Sequence, residues 1–293
     1  MIPELLSIHW HVNPILLPLW GDVAIRWYSL LFVGGFILGW YLFKWFLTRE
    51  KVSLEIMDPL LFTLLIATIV GARLGHCLFY QPDYYLGSWQ GFLEIFQPWK
   101  GGLASHGGAI ALLLSMWWFS AHYGKKCDFD FLWLMDRLCI TVAFAGCLIR
   151  CGNLFNSEIY GDVTSLPWGF IFDLRGETEP KHPTQIYEAL SYLILGLVMV
   201  WIYKNRLDKV YRGFFFGLFL VGCFGMRFLI EFIKEPQVGF EEGMALNMGQ
   251  ILSIPFFIAG VVLLVCSFIW KKPAAAVHPE PVRKEPTHYA HGI

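Results

Sequence analysis

"FLWLMDRLCITVAFAGCLIRCGNLFNSEIYG" (Phe131–Gly161) decides how the chain is to be read. Residues 131–150 form an apolar run. At about 1.5 Å per residue, a helix of roughly 20 residues crosses the hydrocarbon core of a bilayer. The run does not end in an ordinary stop. Arg150, Asn153, Asn156 and Glu158 follow where lipid would give way to water. They form either a simple polar cap or the working part of the protein. Arg150 and Asn153 are three apart and share a helix face, whereas Asn156 and Glu158 do not align with them on a regular helix. A glycine followed by asparagines suits a turning backbone, so we expect the helix to break after Gly152.

Six further runs of similar character lie at residues 27–47, 58–80, 104–122, 185–203, 213–233 and 250–270. The whole chain is 56% hydrophobic and 15% charged over 293 residues, with a mean hydropathy of +0.53. Soluble domains of this length rarely reach such values. The expected fold is therefore an all-α integral membrane protein of seven transmembrane helices. Its expected parts are an outer interfacial lead-in (1–26, with Trp10, Trp20 and several prolines), a membrane catalytic domain (27–270) and a disordered cytoplasmic tail (271–293). The 13 Trp, 12 Tyr and 26 Phe gather near the ends of apolar runs, as interfacial aromatic belts do. A net charge of −1 and the lack of a basic stripe argue against nucleic acid as a partner. The seven cysteines include no CxxC pair, and even Cys147 and Cys151, four apart, are expected to pack rather than bind metal. The first 25 residues hold no Lys or Arg, so the first span is expected to act as its own insertion signal.

Lys and Arg set the orientation. Lys44, Arg49, Lys51, Lys125, Lys126, Lys204, Arg206, Lys209, Arg212, Lys271, Lys272, Arg283 and Lys284 fall on one side; Arg26, Lys100, Arg175, Lys181 and Lys234 fall on the other. The richer side is expected to be cytoplasmic, which puts the N-terminus outside, the C-terminus inside and an odd number of spans between. Two long outer-face loops, at about 81–103 and about 151–184, are then expected to be functional. No internal repeat and no matched Gly/Pro breaks suggest a repeat-built transporter.

Depth along each span places the costly polar groups in one layer near the outer interface: Tyr28, Arg73, His76, His106, Arg150, Glu188, Arg227, Glu231 and Gln250. Asp136 and Arg137 sit instead at the inner end of the fourth span, where snorkelling or local pairing accounts for them. The inner half is otherwise largely apolar. A solute transporter or channel would carry polar groups through the full depth, so a site reached from the outer leaflet is the better reading. An intramembrane hydrolase would want a Ser–His or paired-Asp constellation, for which Ser105 beside His106 is the sole hint.

Arg73, Arg150 and Arg227 present planar forks suited to a lipid phosphate, or else each pairs with a carboxylate such as Glu158 or Glu231. Arg227 and Glu231 have i,i+4 spacing. His106, framed by glycines in "GGLASHGG" (Gly101–Gly108), would accept a proton or donate to a phosphate.

The motifs together resemble the prolipoprotein diacylglyceryl transferase family. They are "RWYSL" (26–30), "GARLGHCLFY" (71–80), "GGLASHGG" (101–108), "RCGNLFNSEIYG" (150–161), "HPTQIYE" (182–188), "RFLIEFIKEP" (227–236) and "MGQILSIP" (248–255), in family order. Departures from the family pattern fall at Ile149, Leu154, Ser29, Cys223 and His76. The resemblance implies a multi-pass enzyme of the bacterial inner membrane, expected to work as a monomer and without metal or cofactor. It would move the sn-1,2-diacylglyceryl group of phosphatidylglycerol to the lipobox cysteine of a prolipoprotein signal peptide. A thioether would form and glycerol 1-phosphate would leave. Arg150 and Arg227 would then bind phosphate, with Arg73 beside them. Asn153, Asn156 and Glu158 would hold Arg150 and the headgroup glycerol, Glu231 would hold Arg227, and Tyr28 would orient the headgroup. His106 would be the thiol's base or a phosphate contact.

Overall fold

The computed structural model describes residues 7–20, 23–97, 101–235 and 246–275. Among them are seven long helices: α1 (Trp27–Arg49), α2 (Met57–Phe79), α5 (Ser105–Cys127), α6 (Phe131–Phe155), α7 (Thr184–Arg206), α8 (Phe214–Ile230) and α9 (Met248–Trp270). Two short helices, α3 (Pro82–Gly87) and α4 (Trp89–Ile95), fill the connection between α2 and α5. Six segments are long and apolar enough to cross a membrane: Trp27–Arg49, Leu54–Phe79, Phe131–Phe155, Thr184–Lys209, Phe214–Ile233 and Met248–Trp270. Helix α5 has the length of α1 but opens on "SHGG" and closes on Lys125 and Lys126, and it falls outside that set. It nevertheless lies against α2 at backbone distance. A Cβ on Gly75 would stand 2.6 Å from the Cα of Gly107, so the two helices meet through small residues, as packed membrane helices do.

Helix α6 is the hub, packed against α1, α7, α8 and α5, while α9 leans on α8. Outward-facing apolar side chains fit a hydrocarbon surround: on α1 alone Leu30, Val33, Ile37 and Tyr41 are exposed at helical spacing.

The tightest core gathers at the end assigned by the charge count to the cytoplasm, around Phe46, Trp133, Ile140, Met199, Tyr203 and Phe215. Of the two accounts expected for Asp136 and Arg137, snorkelling and local pairing, the structure shows pairing. Arg137 is fully buried, and its partner is Glu50, just past the end of α1. The carboxylate takes Nε at 2.9 Å and Nη2 at 2.7 and 2.8 Å, with Trp133 Nε1 and the Tyr203 hydroxyl completing its shell. Asp136 caps α8 instead, accepting the backbone N–H groups of Gly213 and Phe216 at 2.8 Å each. A buried pair survives in a low dielectric only with such full hydrogen bonding.

The tail does not begin at residue 271 as a disordered segment. Residues 271–275 are docked: Arg137 Nη2 donates to the Ala274 carbonyl at 2.7 Å, and Arg212 N donates to that of Lys272 at 2.9 Å. The remaining tail, 276–293, lies outside the described residues. The lead-in also contains strands. β1 (Ile8–His9) pairs in parallel with β4 (Phe170–Ile171) of the second long loop, and β2 (Ile15–Trp20) pairs antiparallel with β3 (Val23–Arg26). The N-terminal segment is thereby pinned over the end of α6, where Trp10 Nε1 donates to the Leu154 carbonyl at 3.0 Å.

Candidate active site at the end of helix 6

The site starts with how α6 ends. The helix does not break after Gly152 but runs through Asn153 to Phe155, with Asn156 as its C-cap. The turn comes next, through left-handed backbone at Ser157 (φ 50°) and Ile159 (φ 63°). That conformation is costly for a β-branched residue and persists only where the surroundings enforce it. They do so here: Thr184 Oγ1 donates to the Ile159 carbonyl and Gln185 Nε2 to that of Glu158, both at 2.8 Å. The first turn of α7 thus folds Glu158 back onto α6.

Residues that a straight helix would separate are thereby joined. Glu158 Oε1 accepts Asn153 Nδ2 at 2.8 Å and Asn156 Nδ2 at 3.0 Å. Asn153 Oδ1 in turn accepts Arg150 Nη1 at 3.2 Å. The carboxylate that neutralises Arg150 is not Glu158 but Glu188 of α7, whose Oε2 lies 2.9 Å from Nε; the Arg150 side chain is 13% exposed and Glu188 is fully buried. Glu188 also faces Lys234 Nζ at 3.3 Å, and Lys234 faces Glu231 Oε2 at 3.3 Å. Charge therefore alternates from Arg150 through Glu188 and Lys234 to Glu231.

This arrangement corrects the expected role of Glu231. Helix α8 ends at Ile230 with the Glu231 N–H still bonded to the Arg227 carbonyl, but a 3-10 turn follows and the Glu231 side chain pairs with Lys234. Arg227, half-buried, has no ion-pair partner among the described residues. Arg227 and Arg150 nevertheless share neighbours: the phenol of Tyr192 and the thiol of Cys223 each lie near both guanidinium groups. Tyr28 joins from α1 because Gly152 leaves room for it. A Cβ there would stand 2.8 Å from Tyr28 Cδ2.

Arg73 does not join them. It is buried and spends its donors on four carbonyls: Ile95 from Nε, Glu94 from Nη2, and Gly101 and Gly102 from Nη1. Its guanidinium also lies over the Tyr85 ring at 5.0 Å. Arg73 thus caps α4 and secures the glycine turn, a structural post in place of the expected phosphate contact. His106 packs its ring between Phe79 (5.4 Å) and Tyr80 (5.7 Å), and no described contact joins it to Arg150 or Arg227. The Ser105 side chain lies outside the described residues.

Four buried side-chain atoms lack a hydrogen-bond partner among the described residues: Asn156 Oδ1, Ser157 Oγ, Gln185 Oε1 and Glu188 Oε2. Glu188 Oε2 has the Arg150 contact at ion-pair distance but no aligned N–H. All four cluster around this one turn. Buried polar groups are ordinarily paired with protein or ordered water, so this unpaired capacity beside an arginine makes the turn a candidate ligand site. The lobe above is fastened by charge. Burial and the Glu177 carboxylate push the Tyr160 phenol up to about 12. Burial alone would lower the Lys181 ammonium, but Glu235 and Glu177 outweigh it and raise it. Among the described residues no cluster of His, Cys, Asp or Glu has a metal-binding arrangement.

Glu188, Tyr192 and Lys234 are the residues that sequence reasoning left without a role. Glu188 carried a signal, since it stands near the mouth of its span. Lys234 had entered only as a charge on the outer side.

Comparison with known proteins agrees with this arrangement of motifs. Residues 14–266 match the family model described as prolipoprotein diacylglyceryl transferase. A phosphatidylglycerol–prolipoprotein diacylglyceryl transferase of Tolumonas auensis is 44% identical over 260 residues, spanning 89% of this chain and 97% of the relative. Proteins of the same name from Bacteroides fragilis (45% over 266 residues) and Porphyromonas gingivalis (43% over 273) each span 88% of this chain and 94% of their own length.

Proposed function

This chain belongs to the prolipoprotein diacylglyceryl transferase family, and from that premise we propose that the cluster at the end of α6 is where phosphatidylglycerol gives up its diacylglyceryl group. The chain is a membrane transferase acting in lipoprotein biosynthesis. In our reading α5 is the seventh span, the N-terminus lies outside, the C-terminus lies in the cytoplasm, and the membrane is the bacterial inner membrane. We read the working unit as a monomer.

The chemistry asks for what the cluster offers. A thiolate of the substrate's lipobox cysteine attacks the glyceryl carbon that carries the phosphate ester. A carbon–sulfur bond forms, the carbon–oxygen bond breaks, and the electron pair leaves on the phosphate. The phosphate passes from one negative charge to two, becoming glycerol 1-phosphate. Cations fixed in a poorly solvated site stabilise that extra charge more than the ground state. Arg150 fits this task because Glu188 and Asn153 fix its fork in place while its side chain remains accessible. Arg227 fits because no described carboxylate neutralises it, leaving its charge for the substrate. Tyr28, Asn156 and Glu158 surround the position of the headgroup glycerol. The thiol must lose its proton; His106 is our candidate for that base or for a further phosphate contact.

The observation that carries the proposal is the Arg150–Asn153–Glu158 chain with unpaired buried polar atoms around it. The test is transfer to a lipobox peptide in vesicles containing phosphatidylglycerol, read by mass spectrometry. We expect a diacylglyceryl mass gain with the native chain and a rate about 10²–10³-fold lower for Arg150→Ala. Full activity in Arg150→Ala would remove the phosphate role, and peptide cleavage without mass gain would point to hydrolysis.

A further inference from the structure

The charge cluster described above does not account for a second feature beside it. A polar cavity of about 290 Å³ opens on the outer side of the α6 turn, lined by Pro14, Arg26, Asn156, Glu158, Leu174 and Arg175. Two of its six lining residues are arginines with no part in the Arg150 cluster. They are held differently. Arg175 is anchored, donating from Nε to the Ser157 carbonyl at 2.8 Å and from Nη2 to the Asn156 carbonyl at 3.1 Å. This leaves Nη1 without a described partner. Arg26 is exposed and has no hydrogen bond or ion pair from its side chain among the described residues. It stands where β3 ends and α1 begins, so its backbone is fixed while its guanidinium is not engaged.

Glu158 and Asn156 line the same cavity, and they are also the residues that close the transfer site. Asn156 Oδ1 is one of the unpaired buried atoms. The cavity thus offers both cations and accepting groups, and it shares the accepting groups with the transfer site. A ligand that fits carries a phosphate for the arginines and hydroxyl donors for Glu158 and Asn156. The volume sits at the small end of ligand pockets, which start near roughly 300 Å³. The single exposed aliphatic wall residue, Leu174, gives no channel for acyl chains.

We propose that this cavity, formed by Arg26 and Arg175 against Glu158 and Asn156, is the exit site that takes the glycerol phosphate group released by transfer and passes it to the outer solvent. The inference rests on the transfer reading above, because that reaction supplies the leaving group. A dianionic product born between Arg150 and Arg227 would be held there by the charges that helped to form it. A second pair of cations, reached past Glu158 and open to water, offers a lower-cost path outward than release against the full attraction of the first pair.

The glycerol phosphate group occurs both in the free product and in the headgroup of an intact lipid, and the experiment separates these sources. Initial rates of transfer are measured with the full chain in vesicles while sn-glycerol 1-phosphate is added as inhibitor. Separately, lipid-free chain in detergent is titrated with sn-glycerol 1-phosphate, inorganic phosphate and glycerol by calorimetry. We expect Arg26→Ala and Arg26→Glu to keep the initial rate at saturating phosphatidylglycerol within about twofold and to raise the inhibition constant about tenfold or more, one charge-assisted contact's worth. Arg26→Lys should recover most of the loss. In the titration glycerol 1-phosphate should bind more tightly than phosphate, and glycerol should not register. An unchanged inhibition constant in both variants, with the native chain transferring normally, overturns the exit site and leaves the transfer reading standing. A rise in KM for phosphatidylglycerol equal to the rise in inhibition constant also overturns it, assigning the cavity to the intact lipid. If the native chain shows no transfer but binds glycerol 1-phosphate through Arg26, the cavity stands as a glycerol phosphate site and the transfer reading falls.

Discussion

Glu188 holds two cations at once, Arg150 at 2.9 Å and Lys234 at 3.3 Å, from a fully buried position. Glu188→Gln keeps the shape but leaves two buried positive charges short of their counter-ion. Removing one partner of a buried pair costs about 3–5 kcal/mol. The expected result is a large drop in thermal stability together with lost transfer, and adding Lys234→Met should recover stability more than activity. A scan of melting temperature beside the transfer assay checks both. Gly152 tests Tyr28 by sterics alone. Gly152→Ala brings a methyl group into the space of the Tyr28 ring, an overpacking of about 1–3 kcal/mol, so transfer should fall even where the chain still folds. Unchanged activity in that variant would separate Tyr28 from the site. At this scale the sequence was legible for residue type and depth. Tyr28, Arg150, Asn153, Asn156, Glu158 and Arg227 all stand at the same end of the bundle. It was not legible for partners, because a carboxylate's choice between Arg150 and Arg227 depends on helix rotation rather than on spacing.

The turn after α6 and the first turn of α7 act as one element. Gln185→Leu removes the donor to the Glu158 carbonyl while keeping the volume. An orphaned buried carbonyl costs about 1–3 kcal/mol, enough to let Glu158 swing away from Asn153. Transfer should drop with little change in the mass of folded protein recovered. Ile159→Gly should instead raise the melting temperature, since glycine accepts the positive φ that isoleucine bears at a cost. The segment around Tyr160 has its own alkaline limit. The Tyr160 proton is bound more tightly in the fold, at about 12, than the roughly 10 of an unfolded chain. Its contribution is therefore constant below about pH 10 and is lost as pH rises from there towards 12. Hydrogen exchange or limited proteolysis of the segment around Tyr160 should show loosening in that window. The expected break after Gly152 was misplaced because a glycine marks either a turn or a close approach, and here the approach of Tyr28 accounts for it.

Across the whole molecule, the two ends of the bundle are built for different tasks. One end is a packed aromatic core locked by Glu50 and Arg137, with Ala274 drawn into the same network. The other end concentrates charge with unpaired capacity. Truncation after Lys271 should therefore lower the melting temperature, because Arg137 then loses a buried acceptor. A fluorescent-protein fusion at the C-terminus should light up in cells and a phosphatase fusion should stay inactive, as the proposed orientation requires. The sequence by itself determined the class, an apolar multi-helix chain with one polar layer, because transfer free energy depends on composition and run length alone. It also identified the family, because the motifs are local strings. Only the tertiary structure decided that Arg73 serves the backbone, that Glu231 answers Lys234 and that Glu188 holds Arg150. Those choices depend on which faces three or four helices turn to each other, and an isolated helix does not fix its rotation about its own axis.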